Sequence, residues 1–332
     1  MNVNVYDRAA LLPELPDDGG RFFHSRQLME IYEQTPHQRP FMAVVSDEGR
    51  PVAWLLAVER SRRSWMPPYL YRHVITIGEG CYAERRTPTT TDADPWSRNM
   101  LFSMMVDALT RRLQNRTLYM EVSLLGQKMF GYAPLRAAGY FPVRWMSIHN
   151  SLHSKTPEER ITPRQLKRIR RAESHGVTTT TVSTDDEFRT FMRLLRHHNR
   201  LKPRRYVPHE RFFRLMMEQQ RCTLFLTRYG ERSIGCSCLI YADGDAYLWY
   251  SASRRKSYAR LHPNAVTFWN TIKYAHEKGC QHIRFTDVGL PFRRNPYRDF
   301  ILSFGGKEVS TFRWFRISIR WVNRVASWLW RE

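Results

Sequence analysis

The sequence predicts an α/β (α+β) protein of two consecutive domains, 1–155 and 156–332, built on one plan. Three observations carry this. At 332 residues the chain exceeds the size at which one core keeps growing, so two domains of about 150 residues are expected. Hydrophobic residues make up 42% of it and aromatics 13%, enough for each half to bury a core and too much for a disordered chain. Each half also reads in the same order: helix, hairpin with an acidic, glycine-bearing turn, third strand, long helix, further strand. A period of about 150 residues marks a domain duplication, since solenoid repeats are about 20–50 residues long.

In the first half, Phe23, Leu28, Ile31 and Tyr32 fall at helical spacing across 22–35. "PFMAVVSDEGRPVAWLLAVER" reads as two strands about the turn "SDEGR", and "YRHVITIGEGCY" as a third strand. A polar loop over 83–97, a helix over 98–115 and the strand "TLYMEVSL" follow. In the second half, "ITPRQLKRIRRAESHG" opens on a Thr-Pro helix start and stops at glycine. Helices near 185–197 and 208–219 precede the hairpin "CTLFLTRYGERSIGCSCLIYADGDAYLWYSA", a helix near 263–278 and the strand "HIRFTDVG". In "RDFILSFGGKEV", Phe300 and Phe304 bracket one helical turn or a bulged strand, and Gly305-Gly306 lets the chain reverse. That turn is either a wall of a donor pocket with exposed backbone N–H groups or an ordinary hairpin turn.

The formal charge is +22, and 45 of the 53 basic residues are arginine, whose planar fork grips phosphate and carboxylate. Nucleic acid, anionic lipid and phosphorylated substrates are the partners such a chain suits. Five cysteines (Cys81, Cys222, Cys236, Cys238, Cys280) form no CxxC pair, and His197 and His198, being adjacent, diverge on a helix, so no metal site is expected. The N-terminal "MNVNVYDRAALLPELPDDGG" lacks the marks of a leader and no stretch reaches 18 apolar residues, which places the expectation in the cytoplasm. Arg164, Lys167, Arg168 and Arg171 share one helix face opposite Leu166 and Ile169, either a phosphate-binding stripe or a solvated face. The terminal "RISIRWVNRVASWLWRE" reads as a helix with Arg316, Arg320, Arg324 and Arg331 opposite Ile319, Trp321, Val322, Val325, Leu329 and Trp330. It suits peripheral contact with an anionic membrane, or packs on its own domain through its tryptophans.

Between residues 165 and 309 the motifs "QLKRIRRAESHGV", "FMRLLRHHNRLKPRRYVPHERFF", "YLWYSASRRKSYARLHPNAVTFWNTIKYAHEKGCQHIRFTDVG" and "FILSFGGKEV" resemble those of the Fem-type (FemABX) peptidyltransferases, tandem GNAT-fold N-acyltransferases. The first half fits in outline through "FFHSRQLMEIYEQT" and "LRAAGYFP". The resemblance implies two GNAT-like domains, each a mixed, mostly antiparallel sheet flanked by helices. It also implies amide-bond formation on an amine of a lipid-linked or nucleotide-linked cell-wall (peptidoglycan) precursor, with aminoacyl-tRNA as donor, tRNA as partner and no bound cofactor. Ile301 stands where the family has a lysine, leaving Lys307 or Arg298 as substitutes, and no heptad run marks the helical arm of many members.

An amide-forming site needs an activated acyl donor, a deprotonated amine and donors for the oxyanion. Asp287, at the end of "RFTDVG", is the candidate base or merely caps the next turn, with Tyr258, Tyr250 and His262 as other proton carriers. The loop "SRRKSYARLHPNAV" lacks the glycines that let backbone approach a pyrophosphate, so Arg254, Arg255 and Lys256, with Asn264 at the helix start, are the donor-binding candidates. Phe300, Phe304, Gly305, Gly306 and Lys307 join them. Arg200, Tyr250 and Arg298 are assigned to the acceptor. Two rivals stand beside this reading: an acyl-coenzyme A dependent N-acyltransferase acting on an amino sugar or small amine, and a non-catalytic nucleic-acid or membrane-binding protein on a decayed scaffold.

Overall fold

The computed structural model describes residues 1–16, 21–63, 67–83, 97–200, 206–292 and 294–330, with Asp287 described by its backbone alone. The chain divides into two compact units, Met1–Trp145 with Ser310–Glu332, and Met146–Val309. The sequence places one boundary at 155/156; in the units the last stretch of chain returns to the first.

The first unit opens with β1 (Asn2–Tyr6), a strand too short and polar to stand out in the sequence. The helix expected over 22–35 starts later, as α1 (Arg26–Glu33), because Ser25 caps it: its hydroxyl accepts the Leu28 N–H at 3.1 Å, and Phe22–His24 forms a separate 3₁₀ turn. The expected hairpin is β2 (Gln38–Asp47) and β3 (Arg50–Arg63). Next come β4 (Leu70–Ile77), the two-residue β5 (Cys81–Tyr82), α2 (Arg98–Leu113), β6 (Tyr119–Ser123) and α3 (Tyr132–Ala137). Most of the polar loop expected over 83–97 lies outside the described residues. Strand β7 (Phe141–Ser151) leads out of this unit.

In the second unit follow α4 (Pro157–Arg160), α5 (Pro163–Ser174), β8 (Val177–Thr181), α6 (Asp185–Asn199) and α7 (Glu210–Glu218). Strands β9 (Cys222–Tyr229), β10 (Arg232–Ala242) and β11 (Asp245–Ser253) form a meander, then come α8 (Pro263–Glu277), β12 (His282–Gly289) and α9 (Pro296–Leu302). Strand β13 (Lys307–Ile317) carries the chain back, and α10 (Arg320–Leu329) ends it.

Both units realise one topology. In the first the strand order is β1-β2-β3-β4-β6-β13, with β5 on β3; in the second it is β7-β12-β11-β10-β9-β8. Every pairing described is antiparallel except β4 with β6 and β11 with β12, the pairs joined through α2 and α8. Parallel neighbours need such a crossover helix, which explains why each half shows one long helix between its last two strands. Helix α2 buries Leu101, Phe102, Met105, Val106, Leu109 and Leu113 on its sheet-facing side.

The second core gathers four phenylalanines around α8. Phe268 stacks on Phe285 and Phe304 with centroids 6.1 and 5.9 Å apart, and Phe300 meets it edge-on at 5.1 Å. These rings hold α9 to the sheet; truncating one to alanine costs about 3–5 kcal/mol. Gly305 and Gly306 follow at φ +91° and +107°, where a Cβ would fall 2.7 Å from Arg160 Cβ and 2.9 Å from the His149 carbonyl oxygen. Close approach of neighbouring backbone therefore requires both glycines.

The C-terminal segment differs from the helix expected from 316 onward. Phe312 and Trp314 alternate into the first unit's core, a period of two that keeps the chain extended through Ile317. Arg316 thus belongs to β13 and donates to the Ala138 carbonyl at 3.0 Å and to Gln114 Oε1 at 2.7 Å. Arg331 lies outside the described residues.

Replacing Gly306 by alanine should lower stability by about 1–3 kcal/mol, read from the urea midpoint, because strain at positive φ adds to the contact with His149. A second outcome concerns Glu187, which accepts the Ser183 N–H at 2.8 Å and Arg228 Nη2 at 2.7 Å. The Ser183 N–H first, and Arg228 second, hold this carboxyl down to about 2 from an ordinary 4.5. A depressed acid stabilises above its unfolded value and loses that contribution as pH falls, here between about 4.5 and 2. Urea titrations across that window should show a smaller loss for Glu187→Gln than for the parent, together with lower stability at pH 7.

Candidate active site

Strands β11 and β12 run side by side for only three pairs, Ala246 with Ile283, Tyr247 with Arg284 and Leu248 with Phe285. Beyond them β11 continues to Ser253 and β12 to Gly289 with no further pair between them among the described residues. At the point of parting, β11 carries one extra residue, Trp249, against β10: Leu239 opposes Leu248 and Cys238 opposes Tyr250. A bulge of this kind bends a strand and re-aims its backbone groups. In the first unit β4 and β6 stay paired over five positions, His73 with Tyr119 through Ile77 with Ser123. Among the described pairs, then, the parting belongs to the second unit.

A cavity of about 1270 Å³ is bordered by the end of β11 (Ser251, Ala252, Ser253), past its last pair with β12, by the loop Arg254–Ser257, and by the starts of α8 and α9. No described lining residue carries a carboxylate, while Arg254, Arg255 and Lys256 bring three cations. Helix α8 has Pro263 at its first position, no acidic residue in its first turn and no side-chain cap; the Ala265 and Val266 N–H groups donate to the His262 carbonyl at 2.8 and 3.2 Å, and the positive end of the helix dipole adds to the charge of the cationic loop. A smaller hollow of about 430 Å³ adjoins, where Arg255 and Lys256 meet Arg168 of α5 and His262. Burial, and after it Arg168 and Arg171, push the His262 imidazole below its usual range. The basic helix and the basic loop, separate in the sequence, thus border one hollow.

Hydroxyls fix α8 at this position. Thr267 Oγ1 donates to the Pro263 carbonyl at 2.7 Å and lies 2.6 Å from Thr227 Oγ1, which lies 2.9 Å from Thr179 Oγ1; Thr271 meets Ser237 at 2.7 Å. Gly235 of β10 passes beneath: a Cβ there would fall 2.5 Å from Thr267 Oγ1.

Of the sequence candidates, Arg254, Arg255, Lys256, Asn264 and Phe300 line the cavity together. Others do not. Phe304 is buried in the core, Gly305 and Gly306 pack against backbone, and Lys307 opens β13. The glycine turn is a packing device rather than a donor-pocket wall. Arg298 pairs with Glu308 at 3.0 Å. Tyr250 is buried against Phe213 and donates to the Tyr206 carbonyl at 3.0 Å, and the Tyr258 hydroxyl accepts from Arg232. Arg200 ends α6 at the surface and is not among the described lining residues. Asp287 lies on β12, and its side chain lies outside the described residues. Ile301 is fully buried in the apolar cluster, so a lysine at this position would bury a charge.

The sequence reading missed Ser251 and Ser253, whose alternation at a strand end was visible, and Asn295, whose side chain caps α9 by accepting the Tyr297 N–H at 3.1 Å. His197 and His198 both border the cavity although they are adjacent, because the last turn of α6 ends at its rim. Cys236 lines it too, but burial pushes its thiol up to about 12, which removes it as a nucleophile at neutral pH. No group of three metal-ligating side chains occurs among the described residues.

Residues 164–294 match the family model described as acetyltransferase (GNAT) domain. The class is therefore that of the acyltransferases, and the second unit is a GNAT domain. Over the whole chain the likeness is to solved structures and is one of fold. The chain superposes on a structure described as FemX with TM-score 0.60 at 11% identity, over 92% of this chain and 94% of that one. A tandem GNAT protein from the clavulanic acid biosynthesis pathway gives TM-score 0.54 at 12% identity over 96% and 99%. The L-PGS structure from Bacillus licheniformis gives 0.54 at 11% over 92% and 93%. At such identities these likenesses define the fold. By sequence, no curated protein matches the chain.

Changing Arg254 and Lys256 together to alanine should weaken binding of a phosphorylated donor about tenfold or more, since a hydrogen bond to a charged group contributes about 1.5–3 kcal/mol. Calorimetric titration reads the affinity, and an unchanged melting temperature shows that the fold is intact.

Proposed function

We propose that the chain is an aminoacyltransferase that takes its acyl group from aminoacyl-tRNA and forms an amide bond on an amine of a cell-wall peptide precursor. The observation that carries the reading is the cation-rimmed cavity at the end of β11, which has no carboxylate among its described lining residues. An acyl group activated on a phosphorylated carrier suits such a place: the phosphates meet Arg254, Arg255, Lys256 and the α8 N-terminus, and the carbonyl reaches the opened strand edge. The net charge of +22, with 45 arginines, suits the many phosphates of tRNA. Fem-type motifs and the likeness to a protein named lysylphosphatidylglycerol synthetase add support for aminoacyl transfer.

In this mechanism the amine attacks the acyl carbonyl, backbone N–H groups along β11 past Leu248 stabilise the oxyanion, and the ester C–O bond breaks as the proton lost by the amine is passed to the departing hydroxyl oxygen of the carrier. Asp287, at the end of β12, is the group assigned to take that proton. Asp287→Asn should lower kcat at least a hundredfold with the fold intact if this assignment holds.

A second reading keeps the fold and changes the donor to an acyl-coenzyme A acting on a small amine. It is favoured by the uncapped N-terminus of α8, an arrangement that accepts a pyrophosphate, and by the likeness to the tandem GNAT structure described as "without AcCoA". Transfer of a labelled amino acid from charged tRNA to a muropeptide, abolished by RNase, is the outcome expected of the first reading. A melting temperature raised by coenzyme A thioesters, with transfer insensitive to RNase, would establish the second.

A further inference from the structure

Helix α10 shows solvent an apolar stripe of exposed side chains that no described residue covers. Trp321, Val325, Trp328 and Leu329 are 70, 50, 64 and 64% exposed and recur at i, i+4, i+7 and i+8, within one third of the helix circumference. The opposite side holds the helix to its unit: Asn323 Oδ1 accepts the Ile317 N–H at 2.8 Å and Nδ2 donates to the Gly139 carbonyl at 2.9 Å. Trp321 and Trp328 therefore do not dock the helix on its own domain, and the stripe is held facing outward. Arg320 and Arg324, one turn apart along its flank, are exposed and have no acidic partner among the described residues. The sequence 318–331 contains no acidic residue at all.

We propose that this face of α10 seats the chain on an anionic bilayer surface, the tryptophans and Leu329 entering the interface and Arg320 and Arg324 meeting lipid phosphates. Charge decides the occupant. A second copy meeting this face about a two-fold axis would bring arginines against arginines with no carboxylate on the helix to offset them, whereas anionic headgroups pair with them. Tryptophan beside arginine is the composition that settles at the headgroup level. The helix lies on the surface rather than crossing it: no described helix is long and apolar enough to span a membrane. This inference does not rest on the nature of the acyl donor.

The test is co-sedimentation of the full chain with vesicles of phosphatidylcholine and phosphatidylglycerol at three to one, against vesicles of phosphatidylcholine alone. Binding is expected to the anionic vesicles only, and to fall steeply in high salt. Trp321→Ala with Trp328→Ala, and separately Arg320→Glu with Arg324→Glu, should each weaken it at least tenfold, with unchanged circular dichroism. Binding as tight in both variants as in the parent would overturn the proposal, since another basic surface would then be responsible. Absence of vesicle binding overturns it as well. A dimer in sedimentation velocity that the tryptophan variant converts to monomer would assign the stripe to a second copy instead.

Discussion

Two parallel strands that begin paired and then separate are the constraint on which the second unit depends. A sheet can open in this way only if something else holds the diverging strands and satisfies the groups exposed between them. Here α8 packs on β8 to β11, fixed by a line of hydroxyls from Thr179 through Thr227 to Thr267, and α9 is held by the four-phenylalanine cluster. The bulge at Trp249 concentrates the distortion in one residue, so β10 and β11 remain paired on either side of it. The cavity lies at the end of β11, past its last pair with β12.

Charge does a separate job at the same place. Arg254, Arg255 and Lys256 follow the strand without a break, and Arg168 reaches the same hollow from a helix about ninety residues earlier. Because no described lining residue is acidic, the cations are not used up in internal pairs. Elsewhere in the same unit arginines are neutralised, as in Arg228 with Glu187 and Arg284 with Asp245.

Local patterns were legible in the sequence and long-range pairings were not. The hairpin β2–β3, the Pro-Asn start of α8 and the cationic loop all follow from turn chemistry, helix-start preference and charge within a few residues. The Gly305-Gly306 turn misled because a glycine required by a neighbour's close approach looks, in sequence, the same as one that frees backbone for a ligand. Arg316 was placed on a helix because its apolar neighbours fit both periods until Trp314 was seen to fill a core. Strand β1 was missed since five alternating residues carry little signal, and Arg298 and Tyr250 were taken for binding groups when each already has an internal partner.

The return of β13 to the first unit has a temporal consequence. Phe312 and Trp314 complete a core whose other members lie between Phe41 and Tyr140, and β13 covers the outer edge of β6. A growing chain that has emerged only as far as Val309 holds all of Met146–Val309, while the earlier unit still lacks its last strand and presents an open edge. The part made first is consequently the part finished last, and during synthesis that bare edge is where a chaperone has most reason to bind.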